Sequence, residues 1–330
     1  MRARLYLVAF TMLAWVGGTP AQQPLGQPRS DAEVLVLTAL PATYSIATSL
    51  AEDTSIRVVN VPIDGRPMST QARFFERAPT EVTNQLRRAD AVITIGKLWR
   101  EDPLYAAARA QNIRVVNIDA TEPVSRTLTG VALTREPEAR APWEAPPASN
   151  ENVGTTRAST FFWLGPSNTE RAAEIVAHDL ARLSPKDANT IAQNLAMYRR
   201  ILFELQQSYE ARLAELDDVT VFSLSPDFVY LTADLGLLVD GYFLKQEIEW
   251  TPADFEAFTS HLKSRGIRVV IHKRDPGGAV RKAIGAAGAK LVVLRTAETF
   301  STEAPRPSRE QSYIQDLETN LRALHAALSK

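Results

Sequence analysis

Short apolar runs and amphipathic stretches take turns along most of this chain. Residues 34–37 (VLVL), 56–61 (IRVVNV), 91–95 (AVITI) and 113–118 (IRVVNI) are brief, β-branched and bounded by polar residues, so each predicts a buried strand. Helices are predicted between them at 41–51, where Pro41 opens the turn, and at 79–88 and 102–111, while 62–78 predicts a loop. After residue 217 the rhythm returns, with strands at 219–224, 237–239, 267–271 and 290–294 and helices at 227–235, 252–265, 277–287 and 308–328. Strand and helix in alternation predict a parallel sheet, because each crossover helix must pack back on the sheet.

Between the two halves lies the stretch 184–216, which reads as one uninterrupted helix. Ser184 offers an N-cap, Pro185 suits the first helical position, Asp187 falls in the first turn, and no Gly or Pro follows until Pro226. Ile191, Leu195, Tyr198, Leu202, Leu205, Tyr209, Leu213 and Leu216 form one apolar stripe along it. At 1.5 Å per residue such a helix runs about 48 Å, longer than a small domain, which predicts a strut touching two bodies rather than half of a hairpin within one. The helix before it, ending near Leu183, carries a capping-box pattern in Ser167 and Glu170. The fold class expected is therefore α/β: two lobes, each a small parallel sheet flanked by helices, joined by one long linking helix, with an interlobe cleft. The lobes are expected at 31–183 and 218–330, with the linker at 184–217. Ligands of open α/β sheets sit beyond the carboxyl ends of the strands, so the cleft is the expected site. The stretch 122–160, rich in Pro, Arg, Ala and Glu, breaks the pattern and reads as a mobile loop in preference to an ordered lid, with Trp143 the residue able to anchor it.

Composition narrows the class. With 330 residues, 45% hydrophobic and 23% charged, the chain can bury two cores, and a net charge of -1 gives no basic footprint for nucleic acid. Arg2 and Arg4, the apolar run 5–16 and the small residues up to Ala21 read as a signal peptide cleaved near Ala21, followed by a Gln/Pro-rich lead. There is no cysteine, hence no disulfide, thiolate ligand or lipid-bearing Cys. A soluble, monomeric periplasmic protein is expected. The sequence contains no nucleophile elbow, P-loop, G-x-G-x-x-G after the first strand or H-E-x-x-H, so no enzyme is expected.

Several segments together resemble the zinc/manganese-type solute-binding proteins of ABC importers. They are VLTALPATYSIATSLAED, the loop with Pro62 and Asp64-Gly65, RRADAVITIGKLW, FFWLGPSNTERAAEIVAHDL, the long helix from Asn194, and GAKLVVL near the end. The resemblance implies a rigid two-lobe receptor that hands a metal ion to a membrane permease, with ligands on four cleft loops. Imidazole and carboxylate are the donors suited to zinc and manganese. On this chain the first ligand position falls on Met68, or near Arg73 counting back from Pro79. The second falls on Phe161, beside Trp163, the third on Ser225 with Asp227 close by, and the fourth on His272 or Asp275. The usual histidines are thus largely replaced, and the segment 122–160 contains no histidine-rich loop.

Three functions follow from this. The first is a receptor that binds zinc or manganese through an altered set, His272, Asp275, Asp227 and Met68. The second is the same receptor binding a metal chelate or small anion through Arg66, Arg73, Lys273, Arg274 and the helix opening at Gly277-Gly278. The third is a degenerate accessory protein that binds no metal. His178, His261 and His325 lie in or near the last turns of predicted helices and read as solvated helix-end residues, whereas His272 follows the strand 267–271 and is as consistent with a site residue as with a hydrogen-bonded strand end.

Overall fold

The alternation is realised as two parallel sheets of the same topology. The computed structural model describes residues 33–145, 157–300 and 312–329; the signal-peptide reading and the Gln/Pro-rich lead lie outside these, as do residues 146–156 of the central loop. The first sheet holds β1 (Val34–Thr38), β2 (Ile56–Asn60), β3 (Ala91–Thr94) and β4 (Val116–Asp119) in the order β2-β1-β3-β4. The second holds β5 (Thr220–Ser223), β6 (Leu238–Tyr242), β7 (Val269–His272) and β8 (Lys290–Val293) in the matching order β6-β5-β7-β8. Helices α1 (Pro41–Ala51), α2 (Met68–Glu76), α3 (Thr80–Arg88) and α4 (Pro103–Gln111) accompany the first sheet. Helices α5 (Pro166–Leu183) and α6 (Ala188–Ala214) follow, then α7 (Val229–Asp234), α8 (Pro252–Ser264) and α9 (Gly278–Ala286) with the second sheet, and α10 (Ser312–Leu328) closes the chain.

Period-two alternation of side chains decides which face each strand residue serves. Val36 and Ile93 of the first sheet and Val221, Val269 and Ile271 of the second join one continuous core with α5, α6 and α10. Their neighbours Leu37 and Val92 face a separate core under α3 and α4, and Phe222 and Val270 face another under α8 and α9. The middle core runs without a break from one sheet to the other, so separating the lobes would expose it. Trp163 ties them further: fully buried, it donates its indole N–H to the carbonyl of Thr296 beyond β8 at 2.8 Å.

Four details differ from expectation. The 184–216 helix is broken at its start. Ser184 ends α5 through its N–H to Leu180 O, a 3-10 turn Pro185–Asp187 follows, and α6 begins at Ala188. The Asp187 carboxylate does not cap the helix but accepts from the Ser184 and Ser55 hydroxyls, tying the turn to the start of β2. The 27 residues of α6 span about 40 Å, and Ile191, Tyr198, Leu202, Tyr209 and Leu213 of the stripe are buried. The capping box of α5 is not formed: Gly165 is the N-cap, the Ser167 N–H goes to Asp234 Oδ2 at 2.8 Å, and Glu170 accepts from Arg199 instead. The loop 62–78 contains α2, because Gln71, fully buried, donates to Ala39 O and Arg66 O while Phe74 and Phe75 pack against the core of the first sheet. Finally, the stretch expected to be a mobile loop is tied down as far as Ala145. Its Thr134 N–H reaches Tyr230 Oη, Arg135 bridges to Ala158, and Trp143 sits among Phe222, Phe243, Phe258 and His261 with ring centroids 4.9–6.2 Å away.

Candidate functional site

The carboxyl ends of β5, β7 and β8 meet those of β1 and β2 across the middle core, and strand parity selects what they present. In β7, Val269 and Ile271 face the middle core and Val270 faces away. Counting on, His272 points away and Lys273 points in. The same count in β5 puts Ser223 on the inward side with Val221; past the strand ends, the turn Pro226–Phe228 and the bend at Ala297, where φ is 50°, bring Asp227 and Glu298 to the same side as Lys273.

The inward group is a small polar cluster. Asp227 is 4% exposed, on a 3-10 turn opened by Pro226, and its carboxylate accepts from the Ser225 hydroxyl. The Lys273 ammonium lies 3.1 Å from Asp227 Oδ2 and 3.3 Å from Oδ1, so it engages both oxygens. Ser225 is itself held by Ser223, whose hydroxyl donates to Ser225 O at 2.7 Å. Opposite, Glu298 reaches from the second lobe to the first and accepts the Met68 N–H at 2.6 Å, at the opening of α2, where a carboxylate also meets the positive end of the helix dipole. Burial and the charge of Asp227 push the Glu298 carboxyl above the ordinary range, against the Met68 N–H and Lys273, which lower it. Burial and Asp227 likewise raise Glu136, which the central arm brings to the same place, against the opposing charge of Arg157. Beyond the carboxylate, Phe300 stands edge-on to Tyr44 with centroids 5.7 Å apart, and Gly65, at φ 72°, passes so close that a Cβ there would lie 3.1 Å from the Phe300 ring.

The outward group is different. His272, 5% exposed, faces Glu247 Oε1 at 3.3 Å; Arg274 donates to the same oxygen at 3.0 Å, and the Gly277 N–H that opens α9 donates to Oε2 at 2.8 Å. Burial lowers the His272 pKa, against the neighbouring Glu247. Asp275, 64% exposed, pairs with Arg281.

The structure thus brings together Asp227, Ser225, Lys273 and the backbone N–H of Met68 among the expected residues, and leaves His272, Asp275 and Arg274 away from them. Parity separates His272 from Lys273, since one residue along a strand reverses the side chain; Asp275 lies past the end of the strand and is drawn to Arg281 of α9 instead. Arg73 is exposed on α2, Arg66 stacks over the Phe74 ring 5.0 Å from its centre, and Phe161 packs against Trp163 at 5.3 Å. Trp163 acts as a core residue between the lobes. Glu298 and Glu136 were not expected. Neither carries a periodic signal: Glu298 lies past the end of β8 beyond the positive-φ Ala297, and Glu136 lies in a segment with no periodicity to read. Among the described residues, no three His, Asp or Glu side chains converge as a group able to hold a metal ion. Three of the four histidines were read as helix-end residues, and His261 corrects this: it lies against Asp240 at 2.6 Å beneath Trp143, 14% exposed.

Comparison with known proteins places this geometry. The model of the family described as "Zinc-uptake complex component A periplasmic" matches residues 36–327. The zinc-binding protein AdcA of Streptococcus pyogenes is 24% identical over 166 residues, which is 49% of this chain and 32% of the relative, so the match covers about a third of that protein's length. Zinc-bound AdcA from Streptococcus pneumoniae superposes with a TM-score of 0.65 at 20% identity, over 91% of this chain and 58% of that one. A crystal structure of ZnuA gives 0.66 at 16% identity over 90% of this chain and 100% of that one. FpvC from Pseudomonas aeruginosa in complex with manganese gives 0.63 at 19% identity over 89% of this chain and 99% of that one. At these identities the structural likenesses show a shared fold.

Proposed function

Because the chain belongs to the family of periplasmic component A of zinc-uptake complexes, we propose that it is the solute-binding receptor of an ABC importer, carrying a transition metal of the zinc or manganese type to a membrane permease. The observation that carries this reading is the polar cluster beyond the strands: a buried carboxylate, Asp227, is near enough to Glu298, which sits at the opening of α2, for each charge to be felt by the other. Carboxylate oxygens are suitable donors for both metals, with Ser225 and Met68 weaker neighbours. His272, on the outward face, would then hold the Glu247 loop and not the cargo. We take residues 1–21 as the export signal and place the division between the lobes along 184–217. The continuous middle core supports a receptor whose lobes move little when it loads.

One observation favours a second cargo within the same architecture. The Lys273 ammonium already satisfies Asp227, which suits a metal that arrives with negative charge of its own, as a chelate. Elemental analysis of the protein purified from its native compartment, paired with thermal unfolding in the presence of zinc, manganese and their carboxylate chelates, tests both readings. A cargo must raise the unfolding midpoint by mass action. A protein that carries no metal and responds to none of these probes is not such a receptor.

A further inference from the structure

The carboxylate at the heart of the cleft is not waiting for a cation, because the chain supplies one. Asp227 is 4% exposed, and both its oxygens lie within 3.3 Å of the Lys273 ammonium. A carboxylate this buried needs a compensating positive charge or a full set of donors, and apart from the Ser225 hydroxyl the compensation comes from Lys273. Lys273 is not locked in. Its side chain is 41% exposed, so the ammonium can leave for water while Asp227 stays. Glu298, anchored on the Met68 N–H, feels the charges of both. Lys273 reaches this position only because β7 ends one residue earlier with His272 facing out.

We infer that Lys273 is the specificity-determining residue of the cleft: its ammonium occupies the cation position on Asp227, so a bare divalent ion must displace it to bind. The inference rests on the receptor reading and sharpens it. A metal ion entering beside a seated Lys273 meets a like charge a few ångströms away. Even in a polar environment that repulsion is worth more than a factor of ten in binding, so the residue selects against free ions and tolerates those whose own ligands screen the charge. The neighbouring arginines do not do the same work, since Arg274 is committed to Glu247 on the other face and Arg66 to the Phe74 ring.

The test compares zinc and manganese binding, by competition with a metal-sensitive dye, in the full mature chain and in Lys273→Gln, whose amide keeps a donor for Asp227 and drops the charge. Lys273→Gln is expected to bind at least about tenfold tighter than the wild type, and the gain is expected to vanish in Lys273→Gln/Asp227→Asn. Lys273→Arg, which retains the charge, should show no gain. If Lys273→Gln binds no tighter while its circular dichroism matches the wild type, or if the gain survives Asp227→Asn, the inference is overturned. Lys273→Met guards against a folding artefact: with no donor left for Asp227 it should unfold at lower temperature than the wild type and be restored by zinc or manganese, whereas a midpoint that neither ion raises counts against the inference. The two readings fail separately. A wild type that binds free zinc tightly, unchanged by Lys273→Gln, keeps the receptor and loses this role for Lys273. A tightened variant beside a wild type that binds no metal in any form keeps the role and loses the receptor.

Discussion

Two carboxylates at the edge of the second sheet show how one residue of strand parity separates structure from function. Glu247 and Asp227 each meet a cation from the exit of β7, Arg274 in one case and Lys273 in the other. Glu247 is saturated: Arg274, His272 and the Gly277 N–H all bind it, and it fixes the loop before α8 to the start of α9. Asp227 is more deeply buried, has one ammonium and one hydroxyl as partners, and looks across to the other lobe. A saturated carboxylate on the outside of a sheet pins loops together, while Asp227, sharing one half-exposed ammonium, is the one we propose exchanges its partner.

The sharpest way to break this comparison is to neutralise each carboxylate in turn. Asp227→Asn is expected to abolish most cargo binding, a loss of about 2–5 kcal/mol by calorimetric titration, with little change in the unfolding midpoint of the free protein. Retained binding would move the site elsewhere. Glu247→Ala is expected to do the reverse, lowering stability by about 2 kcal/mol in urea unfolding through the loss of its charged hydrogen bonds, with cargo affinity intact. A loss of affinity there would show that the outward group belongs to the site after all.

The smallest effect concerns pH. The His272 pKa is depressed by burial, so its contribution to stability is present above the ordinary histidine range, near pH 6.5, and is lost as pH falls through its folded value. Asp102, the N-cap of α4 at the exit of the equivalent strand β3, behaves oppositely. Burial, outweighing its bonds from the Ile95 and Leu104 N–H groups, pushes it up to about 6, so its contribution is present below the ordinary carboxylate range and is lost as pH rises through about 6. Urea unfolding of the wild type and His272→Gln between pH 5 and 8 separates the two: the variant should lose less stability on acidification, and parallel curves would show that His272 titrates as in water.

Much of the fold was legible in the chain. The eight strands lie in or beside the expected apolar runs, and the stripe of α6 is buried where its spacing put it, with Leu195, Leu205 and Leu216 half-covered. The misses were local competitions that pattern cannot rank. Asp187 had Ser55 to bind, 132 residues away, and so gave up the helix start. Ser167 lost its capping role to Asp234, whose carboxylate took its N–H. Trp143 was visible as an anchor, but its socket of Phe222, Phe243 and Phe258 comes from strands and helices of the other lobe.

By itself the sequence determined the alternation of strand and helix, the linking stripe and the resemblance to metal receptors, because each of these is written in residues adjacent along the chain or repeating at a fixed period. It also named the segments of Met68, Ser225–Asp227 and Lys273, though not that of Glu298. Which residue of each loop turns inward was decided by the tertiary structure. The polar cluster joins Met68 to Glu298, 230 residues apart, and it sets Lys273 rather than His272 on Asp227 because the packing of the middle core fixes the face of β7. Periodicity within a segment is a local property of the chain; the meeting of carboxylate, ammonium and helix end exists only once the two sheets share a core.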